Sequence, residues 1–435
     1  MKNNYQTNTT RAAMASEVVM PDRVSVTMAE LAGTMREGLL ALAVGAGLQV
    51  MQALMDESVG ALAGPKGRHD PDRTAVRHGD EAGSVTLGGR RVGVRRPRVR
   101  TADRAAEITV PAYELFNSTE LLGELALEKM MAKLSTRRYA AGLEPVGSTV
   151  AEAASSTSRS AVSRRFVAMT ERALDEMMRS DLSKVDLVAL LIDGVHFADH
   201  LCVVALGISI DGTKIPLAVV EGDTENATVV KDLLVNLRER GLDMTRPILC
   251  VLDGAKALAA AVNALFDRAL IQRCQLHKIR NVQAKLPKAL AATVATKMRA
   301  AYHDRDALQA EATLEALARS LDKAHPGAAG SLREGLAETL TVNRLAMPPT
   351  LARSLRSTNP IESMIEICRD HSSNVKRWQD GTMALRWCAA GMREAAKQFR
   401  RVNGHLHLTA LRVALDKHYE LDITPVCDDE EEEAA

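Results

Sequence analysis

Between residues 186 and 280 the apolar residues arrive in short, near-continuous runs separated by turns or by stretches of helical spacing. Leu187–Phe197, Leu201–Ile210, Ile215–Glu221, Ile248–Leu252 and Ala269–Arg273 read as strands, and Asn226–Arg240 and Ala255–Leu265 as helices. Three meandering strands, a helix, a strand, a helix and a strand predict a mixed sheet with helices packed on it. Runs as unbroken as Val188–Ile192 and Ile248–Leu252 suit interior strands buried on both faces. Residues 282–345 predict helix almost throughout, and more helix follows Asn359.

Upstream the period changes. Residues 1–20 form a polar lead, Val26–Ser58 has the apolar spacing of two helices, and Gly64–Gly83 reads as a loop. Gly83–Arg100 alternates around Gly88-Gly89, which predicts a β-hairpin. Glu120–Ala141 reads as a helix, followed by a short helix at Thr149–Ala154 and a longer one at Arg159–Met177. The short helix, the polar turn and Ser158–Phe166 resemble a helix-turn-helix that would offer Arg159, Arg164 and Arg165 to DNA. An ordinary helical bundle explains the same pattern.

Composition changes this picture in two places. The 435 residues are 46% hydrophobic but only 3% aromatic, so aliphatic packing must form the core. The net charge of +1 argues against nucleic acid only until the six acids of Asp428–Glu433 are set aside, which leaves +7 on the body. Such an acidic run reads as a solvated end, with competition against DNA for a basic surface as the lesser alternative. Six arginines, Arg90, Arg91, Arg95, Arg96, Arg98 and Arg100, crowd the second half of the hairpin with no acid among them. Contact with a DNA backbone therefore outweighs a solvated strand face. The six cysteines form no CxxC pair, as expected of free thiols in a reducing cytoplasm. No apolar stretch of the ~20 residues a membrane span needs is expected, and the chain is expected to be cytoplasmic, without membrane contact.

The candidate chemistry lies in three acids. Asp193-Gly194 and Asp253-Gly254 each close an apolar run, whereas Asp211-Gly212, between two strands, is explained by a hairpin turn. Neighbouring interior strands would bring Asp193 and Asp253 together, and two such charges repel unless a cation lies between them. Glu362 has a rival account as part of a capping box, with Asn359 as N-cap and Pro360 at the first helical position. Capping does not exclude a role at the same site. Three oxygen donors suit Mg²⁺ or Mn²⁺, and two such ions can clamp both oxygens of an in-line phosphoryl displacement.

Longer strings around these acids are specific. Leu191-Ile192-Asp193-Gly194, Leu252-Asp253-Gly254-Ala255-Lys256, Gln272-Arg273-Cys274-Gln275-Leu276-His277-Lys278 and Ser357-Thr358-Asn359-Pro360-Ile361-Glu362-Ser363 resemble the mutator-type transposases of bacterial insertion sequences. Arg77-His78-Gly79 upstream and Asn374-Val375-Lys376-Arg377-Trp378 downstream resemble the same family, and the likeness spans roughly 70–420. The acidic tail lies outside it.

The resemblance implies an α/β catalytic core, an RNase H-like mixed sheet with flanking helices and an all-α insertion, preceded by a mainly helical DNA-binding region with a β-hairpin. It divides the chain into 1–82 (helical, dimerisation or DNA binding), 83–180 (hairpin and helix-turn-helix), 181–281 (first part of the core), 282–350 (insertion), 351–420 (helical end of the core) and 421–435 (acidic tail). It also implies an Asp-Asp-Glu site of Asp193, Asp253 and Glu362 holding two Mg²⁺ or Mn²⁺ ions. By this likeness the ends of a transposon are cut and a freed 3′-hydroxyl attacks target DNA. Cys274 and His277 match the family's Cys-x-x-His element; His277 then contacts the scissile phosphate and Cys274 packs, or both are structural. No second pair completes a zinc site. Trp378, beside Lys376 and Arg377, either stacks on an unpaired base or packs in the core. Glu366 reads as a solvated neighbour of Glu362 rather than a support. The expected partners are double-stranded DNA and, because two ends must meet, at least a second copy of the chain. A DNA-binding regulator without catalysis and a general RNase H-like nuclease remain as alternatives.

Overall fold

The computed structural model describes residues 22–68, 70–222 and 227–423. The polar lead, Cys427 and Asp428–Glu433 lie outside these residues. The chain forms two compact units, one built from residues up to Leu122 together with Ala140–Ser158, the other from Gly123–Tyr139 and Arg159 onward.

In the first unit α1 (Asp22–Ala63) precedes β1 (Ala75–Leu87), β2 (Arg90–Thr101), β3 (Glu107–Ile108) and α2 (Pro111–Asn117). Next, α3 (Glu120–Met131) begins in this unit and continues into the second, and α4 (Ser148–Ala153) closes the first. The three strands form an antiparallel sheet in chain order. Leu87 pairs with Arg90, so Gly88-Gly89 is a two-residue turn. Both glycines have positive φ, +56° and +76°, as the type I′ turn matching strand twist requires. Met55 and Val59 of α1 meet Val85, Val99 and Tyr113 in a small core.

Four expectations change here. The pattern over Val26–Ser58 is one helix rather than two, since isolated glycines such as Gly38 and Gly45 weaken a helix by about 1 kcal/mol without removing any backbone hydrogen bond. Within it Gly33–Ala63 is long and apolar enough to cross a membrane by length and composition, contrary to the expectation that no such stretch exists. Met35, Leu39, Leu42, Val50 and Leu54 of this helix are exposed. The loop expected over Gly64–Gly83 stops where β1 begins at Ala75, because that strand extends well before the hairpin's obvious alternation. The helix expected over Glu120–Ala141 ends at Met131, with Lys133 in the left-handed region at φ +67°.

The second unit is built on one five-stranded sheet. After α5 (Arg159–Arg179) come β4 (Leu187–Phe197), β5 (His200–Ser209), β6 (Lys214–Gly222), α6 (Ala227–Glu239), β7 (Ile248–Leu252), α7 (Lys256–Leu265) and β8 (Ala269–Arg273). The strand order is β6-β5-β4-β7-β8. The first three strands are antiparallel neighbours, and β7 and β8 run parallel to β4. The expected mixed sheet is thus present, with β4, β7 and β8 at the expected residues. Asp211 serves the turn between β5 and β6, accepting from Ser209 Oγ at 2.5 Å and Thr213 Oγ1 at 2.7 Å.

From there to the end of the described residues the unit is helical: α8 (Gln275–Gln283), α9 (Lys288–Tyr302), α10 (Ala307–Leu321), α11 (Pro326–Arg333), α12 (Leu336–Thr339), α13 (Thr341–Arg344), α14 (Pro349–Leu355), α15 (Asn359–His371), α16 (Gly381–Gln398) and α17 (Leu408–Ile423). The helices from α8 to α12 share their own apolar core, including Ile279, Met298, Leu314 and Leu332.

Alternation along β4 separates two further cores. Leu190 and Ile192 face α6 and α7 with Leu233 and Val262. Leu191 and Val195 face the other side, with Ile361 and Ile365 of α15, Cys388 of α16 and Leu411 of α17. Every one of these side chains is buried, which explains why β4 reads as an unbroken apolar run.

Candidate active site

The sheet's register brings the two aspartates to one place. Ile192 of β4 pairs with Leu252 of the adjacent parallel strand β7, so Asp193 and Asp253 each directly follow a paired residue. Along β4, Leu191 and Val195 face α15–α17; along β7, Leu249 and Val251 do the same. With a side-chain period of two, Asp193 falls on that face, and the same alternation carried one step past β7 directs Asp253 there. Both are half-buried. Asp193 Oδ1 accepts from Gly194 N at 2.8 Å, and Asp253 Oδ1 from Ala255 N at 2.7 Å. No Lys, Arg or His among the described residues pairs with Asp253.

Gly254 makes this turn possible. Its φ is +109°, and a Cβ there would collide with the guanidinium of Arg273, the last residue of β8. Arg273 is itself buried, donating to Glu334 O at 3.1 Å.

The third acid comes from α15, which packs against β4 on the same face. The helix starts at the predicted cap itself, so Thr358, not Asn359, is the N-cap. An N-cap hydroxyl normally accepts from the second or third backbone N–H of the helix. Here the second position is Pro360, which has none, and the Thr358 hydroxyl donates instead to Glu362 Oε1 at 2.6 Å. The capping-box account of Glu362 is therefore replaced by a hydroxyl–carboxylate bond that fixes the acid's rotamer.

Thr358 also joins Glu362 to the start of α8. Its Oγ1 lies 3.4 Å from Cys274 Sγ and 3.3 Å from His277 Nδ1, and His277 Nδ1 is 3.8 Å from Glu362 Oε1. One hydroxyl proton serves only one acceptor, and the shortest contact assigns it to the carboxylate. Ligand atoms of Cys274, His277 and Glu362 all fall within 4.8 Å of one another, so Cys274 belongs to this cluster besides being fully buried. The His277 pKa is raised above its ordinary value, chiefly by its bond to Cys274, against burial, with the charges of Glu362 and Asp193 adding to the rise. Burial pushes the Cys274 thiol up, but hydrogen bonding with His277 and Thr358 outweighs it and the net direction is down. Thr358 is the residue that sequence reasoning passed over. Its signal is a hydroxyl one helical turn before an acid and two residues ahead of a proline that removes a usual capping partner.

The remaining predicted residues scatter. Glu366 is exposed on α15. Trp378 packs on Phe197 (centroids 4.9 Å apart) and edge-on to Trp387 at 6.3 Å, as the core alternative expects. Lys376 and Arg377 beside it are exposed. Of the expected helix-turn-helix, α4 belongs to the first unit and α5 to the second. Val162 and Phe166 of α5 are buried, and Phe166 packs on Trp387 at 4.6 Å, so this face of α5 packs into its own unit. Arg159 and Arg164 are exposed on it and Arg165 is half-buried.

Within the hairpin, Arg90 and Arg91, expected to contact DNA, are bonded to oxygens of their own unit. Arg90 is 6% exposed and donates to Gly88 O at 3.0 Å and Glu144 O at 2.7 Å. Arg91 donates to Ser84 O (2.9 Å), Asn117 O (2.6 Å) and Asn117 Oδ1. Arg96 and Arg98 are paired with Glu81 and Glu107, acids absent from their own strand but supplied by β1 and β3. Arg100 donates weakly to Arg104 O at 3.3 Å. Arg95 alone of the six is exposed.

The family profile described as "Transposase, Mutator family" matches residues 22–402. A transposase for insertion sequence element ISRM5 of Rhizobium meliloti (strain 1021) is 29% identical over 370 residues, 84% of this chain and 89% of that protein. One for element IS6120 of Mycolicibacterium smegmatis is 32% identical over 237 residues, 53% of this chain and 72% of the other. One for element IS256 in transposon Tn4001 of Staphylococcus aureus is 25% identical across 73% of this chain and 80% of that protein.

Proposed function

The chain belongs to the Mutator family of transposases, and we propose that it cuts and joins DNA ends of an insertion sequence through Asp193, Asp253 and Glu362. The observation that carries this reading is the register of β4 and β7. It sets two carboxylates side by side on the sheet face that also receives the Glu362 helix. Three antiparallel strands followed by two parallel ones, β6-β5-β4-β7-β8, support an RNase H-like core, with the helices between β8 and α15 as its insertion.

The donor set fits a hard cation. Carboxylate oxygens on half-buried aspartates, at least one of them without a basic partner among the described residues, are the chemistry that Mg²⁺ or Mn²⁺ selects. Asp193, Asp253 and Glu362 would hold two such ions, which when bound make water or a 3′-hydroxyl a better nucleophile and offset charge at the phosphate. The chain's own residues do the positioning. Thr358 fixes the Glu362 carboxylate by its 2.6 Å bond. His277, held between Thr358 and Glu362 with a raised pKa, offers a proton donor to a phosphate oxygen. Gly254 lets the chain turn sharply so that Asp253 stays at the strand end. Double-stranded DNA is the substrate, and joining two ends requires at least two copies of the chain.

The test is Mg²⁺-dependent cleavage of a duplex carrying the element's own ends. Asp193→Asn, Asp253→Asn and Glu362→Gln should each lower cleavage by at least ~10³-fold while end binding persists. Cleavage retained by any one of them overturns the site. Cutting of DNA without the end sequences by the unaltered protein points instead to a general nuclease.

A further inference from the structure

Between the end of α9 and helix α14 the second unit has a cavity of about 330 Å³. One wall is apolar: Val342, Met347, Pro348, Pro349 and Ala352. The other is cationic, with Arg305, Arg353 and Arg356 beside His303. A smaller cavity of about 140 Å³ shares His303, Arg353 and Arg356 with the first, adds Arg299, and reaches Ser357 and Asn359. Those two residues flank Thr358, whose hydroxyl holds Glu362. The two cavities therefore share one wall, of Tyr302, His303, Arg353 and Arg356, between the start of the Glu362 helix and the two prolines.

The charge in this groove is unusual for this molecule. Among the described residues no carboxylate lies within ion-pairing distance of Arg299, Arg305, Arg353 or Arg356. Asp304, also on the wall, turns its Oδ1 to Asp306 N at 3.0 Å. Arg356 is held in place by a neutral partner. His303 Nδ1 faces Arg299 O at 2.6 Å and so donates to it, which leaves Nε2 to accept from Arg356 Nη2 at 3.1 Å. Burial, and to a lesser extent the charge of Arg353, lowers the Arg356 pKa. The wall is also braced: Asn343 Nδ2 donates to Asp304 O at 2.8 Å and to Tyr302 O at 3.2 Å, and Gln275 Nε2 donates to Asn343 Oδ1 at 3.3 Å. Arginines crowded on a concave, braced wall without an ion-paired carboxylate form a site for an anion.

The apolar half identifies which anion. A phosphate alone needs no wall of Met347, Pro348 and Pro349, and a base-paired duplex, about 20 Å across, has no projecting group that enters a cavity of this size. A single nucleotide has both parts: a phosphate for the guanidinium groups and a flat base for the apolar face. We propose that the groove receives the unpaired DNA strand running on from the scissile bond. Its phosphates lie on Arg299, Arg305, Arg353 and Arg356, and one extruded nucleotide is lodged against Met347, Pro348 and Pro349. The strand's direction of entry rests on the proposed role of Glu362; the binding itself does not.

The experiment measures fluorescence anisotropy of the full chain, without divalent metal, on three labelled probes. These are a thymidine oligomer of about 20 nucleotides, the same oligomer with abasic sites, and a blunt duplex of equal length. Arg353→Glu and Arg305→Glu, on separate elements and both exposed, should each weaken the thymidine oligomer about tenfold at ~0.1 M salt and reduce its salt slope by about 0.7. Their duplex affinity should change less than about twofold. The unaltered chain should bind the abasic oligomer at least about fivefold more weakly, the loss expected when a stacked base is removed. Unchanged single-strand affinity in both variants overturns the proposal, as does an equal loss on duplex. Equal binding of abasic and thymidine probes removes the nucleotide pocket. The two readings separate cleanly. If Arg353-dependent single-strand binding holds while the Asp193→Asn chain still cleaves, the catalytic reading falls and the groove stands. The reverse pair of results removes the groove alone.

Discussion

In β2 the guanidinium groups of Arg90 and Arg91 end on carbonyl, hydroxyl and amide oxygens of their own unit, and those of Arg96 and Arg98 on Glu81 and Glu107. Around α14, by contrast, Arg299, Arg305, Arg353 and Arg356 meet no carboxylate among the described residues. The hairpin has the denser run of arginine in the sequence, yet most of its charge is used to hold strands and turns together. The groove's arginines come from three separate segments and form no visible run. Density of basic residues along a chain therefore measures neither exposure nor availability. What decides is whether folding brings acids or carbonyls within reach, since a guanidinium offers five donors that must be met somewhere once it is half-buried.

The sharpest way to break this comparison is to remove a hairpin arginine that has been assigned to structure. Arg91→Ala leaves Asn117 O, Ser84 O and Ser84 Oγ without their charged donor. Loss of several charge-assisted bonds at a half-buried site should cost about 2–4 kcal/mol, read as a lower midpoint in urea denaturation at unchanged slope. Arg90→Ala should behave similarly, at about 2 kcal/mol, through Gly88 O and Glu144 O. Either variant keeping full stability while losing duplex affinity returns that arginine to the DNA surface and removes the contrast with the groove.

The same logic explains how much was legible in the sequence. The bounds of β7 follow from an unbroken apolar run that stops before Asp253, and burial on both faces is what such a run requires. The hairpin turn follows from Gly88-Gly89, because two consecutive positive φ values are costly for other residues. The adjacency of Asp193 and Asp253 was legible as a conditional, and the parallel pairing of β4 with β7 supplies the condition. What escaped depends on partners distant in sequence. Glu81 and Glu107 reach Arg96 and Arg98 across strands, so an arginine run with no acids among its own residues looked unpaired. Thr358 escaped because its role depends on Cys274 and His277, some eighty positions earlier. The long α1 escaped for a local reason, since glycine was given more power to end a helix than its propensity carries.

Arg95 sharpens the comparison from the other side, with a smaller effect. It is the exposed member of the β2 set, with no ion pair among the described residues. Arg95→Ala should leave stability within about 0.5 kcal/mol and weaken duplex binding about threefold to tenfold at low salt. The salt slope should fall by about 0.9, one phosphate contact on B-form DNA. Arg96→Gln, matched for position on the same strand, should move that slope little, because its charge is already spent on Glu81 and Glu107. Equal slopes for the two variants would show that ion pairing does not withdraw an arginine from DNA.

Glu107 offers the finest test, because removing it should free arginines rather than delete them. Arg98, through a 2.7 Å hydrogen bond, and then Arg96 hold the Glu107 carboxyl down at about 2, against about 4.5 for an unperturbed glutamate. A carboxylate whose folded pKa lies below its unfolded one adds stability above the unfolded pKa and loses it as pH falls through the folded value. The stability difference between the unaltered chain and Glu107→Gln should therefore be constant above about pH 4.5 and shrink toward zero near pH 2. Glu107 is solvent-exposed, so the difference will be small and is best read from paired thermal melts across that window. At neutral pH the same substitution removes one of the two carboxylates that hold Arg96 and Arg98, and duplex affinity should rise about twofold to threefold at low salt. A stability difference that stays flat down to pH 2, together with unchanged affinity, means that these arginines were never held by Glu107. The hairpin would then differ from the groove in its sequence alone.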